Sequence, residues 1–157
     1  ADAVIGEVGN GMPLIEKVAD DAIAALCAEA IGCFKVLNEA TIAYAKQRKQ
    51  FGQPIANFQV LQHRMVDMFM AAEQATYMVT LKLGEPDRQR KLAASGAKVQ
   101  IGKAGKLISQ DAVQIHGGMG MTDELNVGHF FKRVTMIESQ FGNTDWHLRR
   151  YTELSAG

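Results

Sequence analysis

The sequence predicts an all-α protein, an antiparallel four-helix bundle of long helices. Three observations point there: apolar residues recur at helical spacing through four long stretches, short glycine- or proline-bearing breaks separate them, and no convincing strand alternation follows Pro13. The opening residues, with Val4, Ile5 and Val8 followed by Gly9, Gly11 and Pro13, suit a short extended piece ending in a turn. Residues 1–12 are thus expected to be a tail and residues 13–157 the bundle.

The first helix carries Val18, Ala22, Leu26, Ala30, Cys33, Leu37, Ala40 and Tyr44 on one face and should stop near Gln50, where Phe51-Gly52-Gln53-Pro54 breaks it. The second runs from Phe58 through Met65, Met68 and Ala75 to Leu83 and ends at Gly84-Glu85-Pro86. The third has Ala94, Ala97, Ile101, Ala104, Ile108, Ala112 and Ile115 as its seam, and Gly117-Gly118-Met119-Gly120 ends it. Gly96, Gly102 and Gly105 inside it each cost about 1 kcal/mol relative to alanine, which predicts close approach by a neighbouring backbone. The fourth presents Val127, Phe131, Val134 and Ile137, breaks at Phe141-Gly142-Asn143-Thr144, and resumes from Trp146 to Leu154. Asn143 or Thr144 should cap the resumed helix, and Glu138 is expected to be solvated.

The chain has 157 residues with 17 Lys+Arg against 17 Asp+Glu, a net charge of zero. That balance argues against a nucleic-acid surface. No apolar run approaches the roughly 18 residues of a membrane span, and a reducing, cytoplasmic location is expected. Cys27 and Cys33 lie six apart, about 9 Å of helix rise on different faces, so they read as buried thiols rather than a disulfide, and no metal-ligand spacing occurs.

Two places suit chemistry. Arg48-Lys49-Gln50-Phe51-Gly52, followed by Phe58-Gln59, brings cations, amides and an aromatic to a helix end, where a basic last turn is also simply favoured by the helix dipole. Gln114-Ile115-His116-Gly117-Gly118 clusters glycines where a ligand can meet main chain, or where a helix merely stops. His116 alone reads as a helix-end histidine. A Rossmann turn is excluded, because the glycines follow a helix rather than a strand.

Taken together, YAKQRKQFGQPIANFQVLQHRMVDM and QIHGGMGMTDELNVGHFFKRV resemble the C-terminal helical domain of the acyl-CoA dehydrogenase family, over roughly residues 14–155. The resemblance implies a fragment of a flavoenzyme more than twice this size, with residues 1–12 the end of a preceding β domain. It places Arg48, Phe51 and Gln59 at the FAD of a neighbouring subunit, and Gln114, Gly117 and Gly118 at the adenosine-diphosphate half of that cofactor. It further implies an acyl-CoA substrate, an electron-transfer acceptor, and a homo- or hetero-oligomer, either a dimer or a dimer of dimers.

In many members a glutamate before a Gly-Thr pair removes the α proton of the thioester. Here that segment reads Ser139-Gln140-Phe141-Gly142-Asn143-Thr144, and phenylalanine cannot accept a proton. Three readings follow: a base elsewhere in the chain, with Asp20 or Asp21 of the first helix best placed; a base from a partner subunit, which is preferred; or loss of the flavin chemistry, leaving a non-catalytic assembly subunit. Asp145 and His147 could reach a pocket but read first as a capped helix start. Asp20 also stands as a possible pantetheine contact, whereas the arginine that relatives often carry in this region is missing.

Overall fold

The computed structural model describes residues 5–80 and 87–156. Helix α1 spans Met12–Gln47, with Pro13 in its first turn, where a missing N–H costs nothing. Strands β1 (Lys49–Gln50) and β2 (Gln53–Pro54) form a minimal antiparallel hairpin, and a 3-10 turn, Ile55–Asn57, leads into α2 (Gln59–Thr80). Helix α3 spans Asp87–His116, and a second 3-10 turn, Gly117–Met121, precedes α4 (Val127–Ser139) and α5 (Thr144–Ala156).

Helix α3 is the central rod and packs on the other four helices. Its whole anticipated seam, from Ala94 to Ile115, is buried. Near the N-terminal ends of α1 and α3, Arg90 meets Asp20. Near their C-terminal ends Tyr44 stacks on His116, with ring centroids 4.4 Å apart. The two helices therefore run in the same direction. Arg64 of α2 reaches Asp111 of α3 at 3.2 Å, while Met78 lies beside Gly96, so α2 runs the other way. Helices α4 and α5 together return along α3 as the fourth rod: Val134 lies over Gly105, and Tyr151 lies over Gly96. The four rods alternate in direction, as the periodicity predicts.

Several expectations need correction. Helix α1 stops at Gln47 rather than near Gln50, and the break beyond it is a hairpin where no strand is expected. Phe51 (φ 52°) and Gly52 (φ 80°) both take left-handed backbone, the requirement of a two-residue type I′ connection. In the first half of α1 the buried stripe is Asp20, Ile23, Cys27 and Ala30, one position away from Ala22 and Leu26, and Val18 is exposed. Asp20 is turned inward by two arginines, and the stripe follows it. The glycines of α3 admit side chains rather than a backbone: a Cβ on Gly105 would lie 2.7 Å from Val134 Cγ1, and one on Gly102 would strike the Thr144 hydroxyl. Leu83 and Gly84-Glu85-Pro86 lie outside the described residues. Cys27 and Cys33 are buried and unbonded. Among the described residues no helix is long and apolar enough to cross a membrane.

Candidate functional site

The sequence-predicted site residues fall at two separate places. At the C-terminal ends of α1 and α3, the Arg48 N–H closes the last turn on the Tyr44 carbonyl at 2.8 Å, and the Arg48 carbonyl accepts from the Ile55 N–H, also at 2.8 Å. Ile55 is buried and anchors the hairpin to the core. The hairpin tip carries Phe51 with 91% of its surface exposed, in a left-handed conformation that costs a non-glycine residue about 1–2 kcal/mol. Among the described residues its aromatic contact is Phe58, edge-on with ring centroids 6.1 Å apart.

The Tyr44–His116 stack joins this hairpin end to the diglycine corner. His116 is the helix-end histidine of α3 and is buried, with Nδ1 donating to the Ala112 carbonyl at 2.8 Å, so it is also a packed core residue. Gly117 (φ +60°) terminates α3 in the left-handed conformation that glycine tolerates. Gly118 has no such constraint, and a Cβ on it would meet nothing within 4 Å. Among the described residues nothing requires glycine at 118. Arg48, Gln59, Gln114, Gly117 and Gly118 are all exposed, and Arg48 has no ion partner among the described residues. Exposed donors, an unpacked aromatic and open main chain fit a nucleotide cofactor approaching from outside.

The second place is a cleft of about 630 Å³ between the N-terminal part of α1 and α5. Phe141, Asp20, Ile23, Trp146, Arg149 and Arg150 line it. It contains two of the three positions considered for a base, Phe141 and Asp20. Phe141 is the second non-glycine residue with left-handed backbone (φ 55°), followed by Gly142 at φ 101°. Asp20 is buried and its two oxygens are held by different arginines, Oδ1 by Arg150 at 2.9 Å and Oδ2 by Arg90 at 3.4 Å. Asp21, one position on, is exposed and does not line the cleft. The arginines that line the cleft, Arg149 and Arg150, belong to α5.

Two buried side chains hold the loop that carries Phe141. Lys98 Nζ donates to the carbonyls of Glu138, Gln140 and Gly142 at 2.8, 2.9 and 2.8 Å. Burial lowers the Lys98 pKa, with Cys27 and then Glu138 opposing the shift. His147 Nε2 donates to the Phe141 carbonyl at 3.0 Å, and Nδ1 accepts from the Ser95 hydroxyl at 3.3 Å. Burial pushes the imidazole down to about 4, against the pull of the Phe141 carbonyl, with Lys98 and Arg150 adding to the depression. Glu138 is only partly solvated: its carboxylate accepts from the Thr144 N–H at 2.9 Å at the start of α5. Asn143 caps that helix through the Trp146 N–H, also at 2.9 Å.

Sequence reasoning missed Lys98 and underrated His147. A signal for Lys98 was present, since it falls on the inward face of α3 among Ala94, Ala97 and Ile101, where a lysine needs acceptors. Among the described residues no cluster of three His, Cys, Asp or Glu side chains is suited to a metal ion.

Comparison with known proteins places this geometry. The model of the family described as "Acyl-CoA dehydrogenase, C-terminal domain" matches residues 9–153. The chain is 35% identical over 135 residues to acyl-CoA dehydrogenase IpdE2 of Mycolicibacterium smegmatis, covering 86% of this chain and 42% of that protein. It superposes on butyryl-CoA dehydrogenase from Megasphaera elsdenii with a TM-score of 0.84 at 24% identity, covering 95% of this chain and 39% of that one. The ChsE4-ChsE5 complex from Mycobacterium tuberculosis shares the fold at a TM-score of 0.83 and 23% identity, over 88% of this chain and 38% of the matched chain. The chain therefore spans about two fifths of the length of these relatives. With its four antiparallel rods and both sequence motifs, it belongs to the acyl-CoA dehydrogenase family, as the C-terminal helical domain.

Proposed function

We propose that this bundle serves an FAD-dependent acyl-CoA dehydrogenase at two separate places, a cofactor site beyond the C-terminal end of α3 and a substrate-facing cleft beside its N-terminal half. The carrying observation is distance. The diglycine corner follows His116, eighteen residues beyond Lys98 on α3, or about 27 Å of helix rise, while the Phe141 loop rests on Lys98 itself. On this reading the Arg48 end lends surface to a nucleotide seated mostly in a neighbouring subunit, and the Phe141 cleft faces the substrate of the chain's own longer protein. Residues 1–12 then close a preceding β domain, and residues 13–157 are the bundle.

When bound, FAD supplies the hydride acceptor for α,β-dehydrogenation of an acyl-CoA thioester. Arg48 offers a fixed fork of donors to phosphate oxygens, and Phe51 covers an aromatic ring edge. Gln59 and Gln114 add amide contacts, and Gly117 and Gly118 let main chain approach the adenosine-diphosphate half. Phe141 cannot take the α proton, and Asp20 is occupied by two guanidinium groups, so a partner subunit in a hetero-oligomeric pair provides the base. That the matched ChsE4-ChsE5 structure is a complex of two differently named chains is in keeping with this.

The same two observations, Phe141 and the occupied Asp20, also favour a second reading, an assembly subunit without turnover. Flavin content separates them. Full-length protein, alone and coexpressed with a neighbouring paralogue, is expected to purify with flavin absorbance. Colourless protein in every combination would establish the assembly role and overturn the FAD reading.

A further inference from the structure

Lys98 is nearly fully buried in the centre of the bundle, yet it forms no ion pair among the described residues. Its ammonium instead gathers three alternate carbonyls, those of Glu138, Gln140 and Gly142, onto one point within 2.8–2.9 Å. The residue between the last two, Phe141, has its own carbonyl bound by His147 and a left-handed backbone that an aromatic residue does not choose freely. Gly142 completes the turn, since a Cβ there would lie 2.7 Å from Trp146 Cε3. A helix break between α4 and α5 needs no buried cation. One that also turns a strained side chain into the 630 Å³ cleft needs something to oppose relaxation.

We propose that Lys98 is the positioning residue of the cleft: by collecting three carbonyls of the 138–142 loop it holds residue 141 in the conformation that presents its side chain to the ligand. His147 secures the Phe141 carbonyl of the same loop. The clamp grips main chain only, so it acts on whatever side chain stands at 141, and it sets the shape of the cleft wall without touching substrate. Lysine suits this task better than arginine, because a compact ammonium directs three donors to convergent acceptors whereas a planar guanidinium spreads its donors in a fork. The link from this clamp to the acyl-CoA site rests on the function proposed above; the clamp itself is tested without cofactor.

Trp146 is the sole tryptophan of the 157-residue chain and touches the loop, so its fluorescence reports loop order. In Lys98→Met, which keeps the length of the side chain and removes the ammonium, acrylamide quenching of Trp146 is expected to rise by about twofold or more while helix content by circular dichroism is retained. A folded Lys98→Met chain with unchanged quenching would overturn the proposal. The unsubstituted chain provides a second measurement should that variant not fold. The Lys98 ammonium is expected to give a slowly exchanging proton–nitrogen resonance at neutral pH, and exchange as fast as that of surface lysines would equally overturn the clamp. Absence of flavin in the full-length protein would instead sink the cofactor reading and leave both results standing.

Discussion

At the scale of single residues, two Phe-Gly pairs carry the account. Phe51-Gly52 and Phe141-Gly142 each put an aromatic residue into left-handed backbone, one at the exposed hairpin tip and the other in the cleft. Neither strain is readable from sequence, because the same dipeptide serves as an ordinary helix stop. His147 makes the local energetics testable. Its folded pKa of about 4 lies below the ordinary value of 6.5, so as pH falls through 6.5 the unfolded chain takes up a proton that the folded chain refuses. Stability contributed in this way is present above about pH 6.5 and declines toward pH 4, by roughly 3 kcal/mol over the window. Urea unfolding of the chain at pH 7 and pH 4.5 should show this loss, and His147→Gln should flatten it; an equal slope in the variant would show that His147 is not the group responsible. The buried role of His147 was hidden from the sequence because Ser95 and the Phe141 carbonyl, its two partners, are set by tertiary packing.

At the scale of elements, periodicity read α3 almost completely, because a central rod buried along its length shows its seam in every turn. It read α1 less well, since one inward acid, Asp20, shifts the stripe in a way that only Arg90 and Arg150, far along the chain, explain. The glycines of α3 were rightly taken as sites of close approach, but what approaches is side chain. That distinction predicts opposite effects for two identical substitutions. Gly96→Ala meets Met78 Cε at an ordinary 3.4 Å and gains helix propensity, so stability should rise by about 0.5–1 kcal/mol. Gly105→Ala drives a methyl to 2.7 Å from Val134 Cγ1 with the Phe34 ring behind it, and overpacking should outweigh the propensity for a net loss of about 1–2 kcal/mol. Denaturant midpoints of the two variants check this. Shifts in the same direction would mean that α4 yields to α3 more easily than the packing implies.

At the scale of the whole molecule, the two candidate surfaces lie at different places along the bundle. Helices α1 and α3 run side by side, so Arg48 and the diglycine corner share one end, joined through the Tyr44–His116 stack, while Asp20, Phe141 and the α5 arginines gather toward the other. The two motifs legible in the sequence identified the family, and residues of both lie at the first end. The Lys98 clamp and the closed ion pairs of Asp20 depend on which helices become neighbours, and the chain order alone conceals them.

The most direct test of the two-ended arrangement is the flavin absorbance of the purified full-length assembly carrying Arg48→Ala, read beside its size on a gel-filtration column. An assembly of unchanged size with most of its flavin lost is the expected result, since Arg48 would hold the cofactor from the end remote from the Phe141 cleft. Full flavin retention in an intact Arg48→Ala assembly would contradict it.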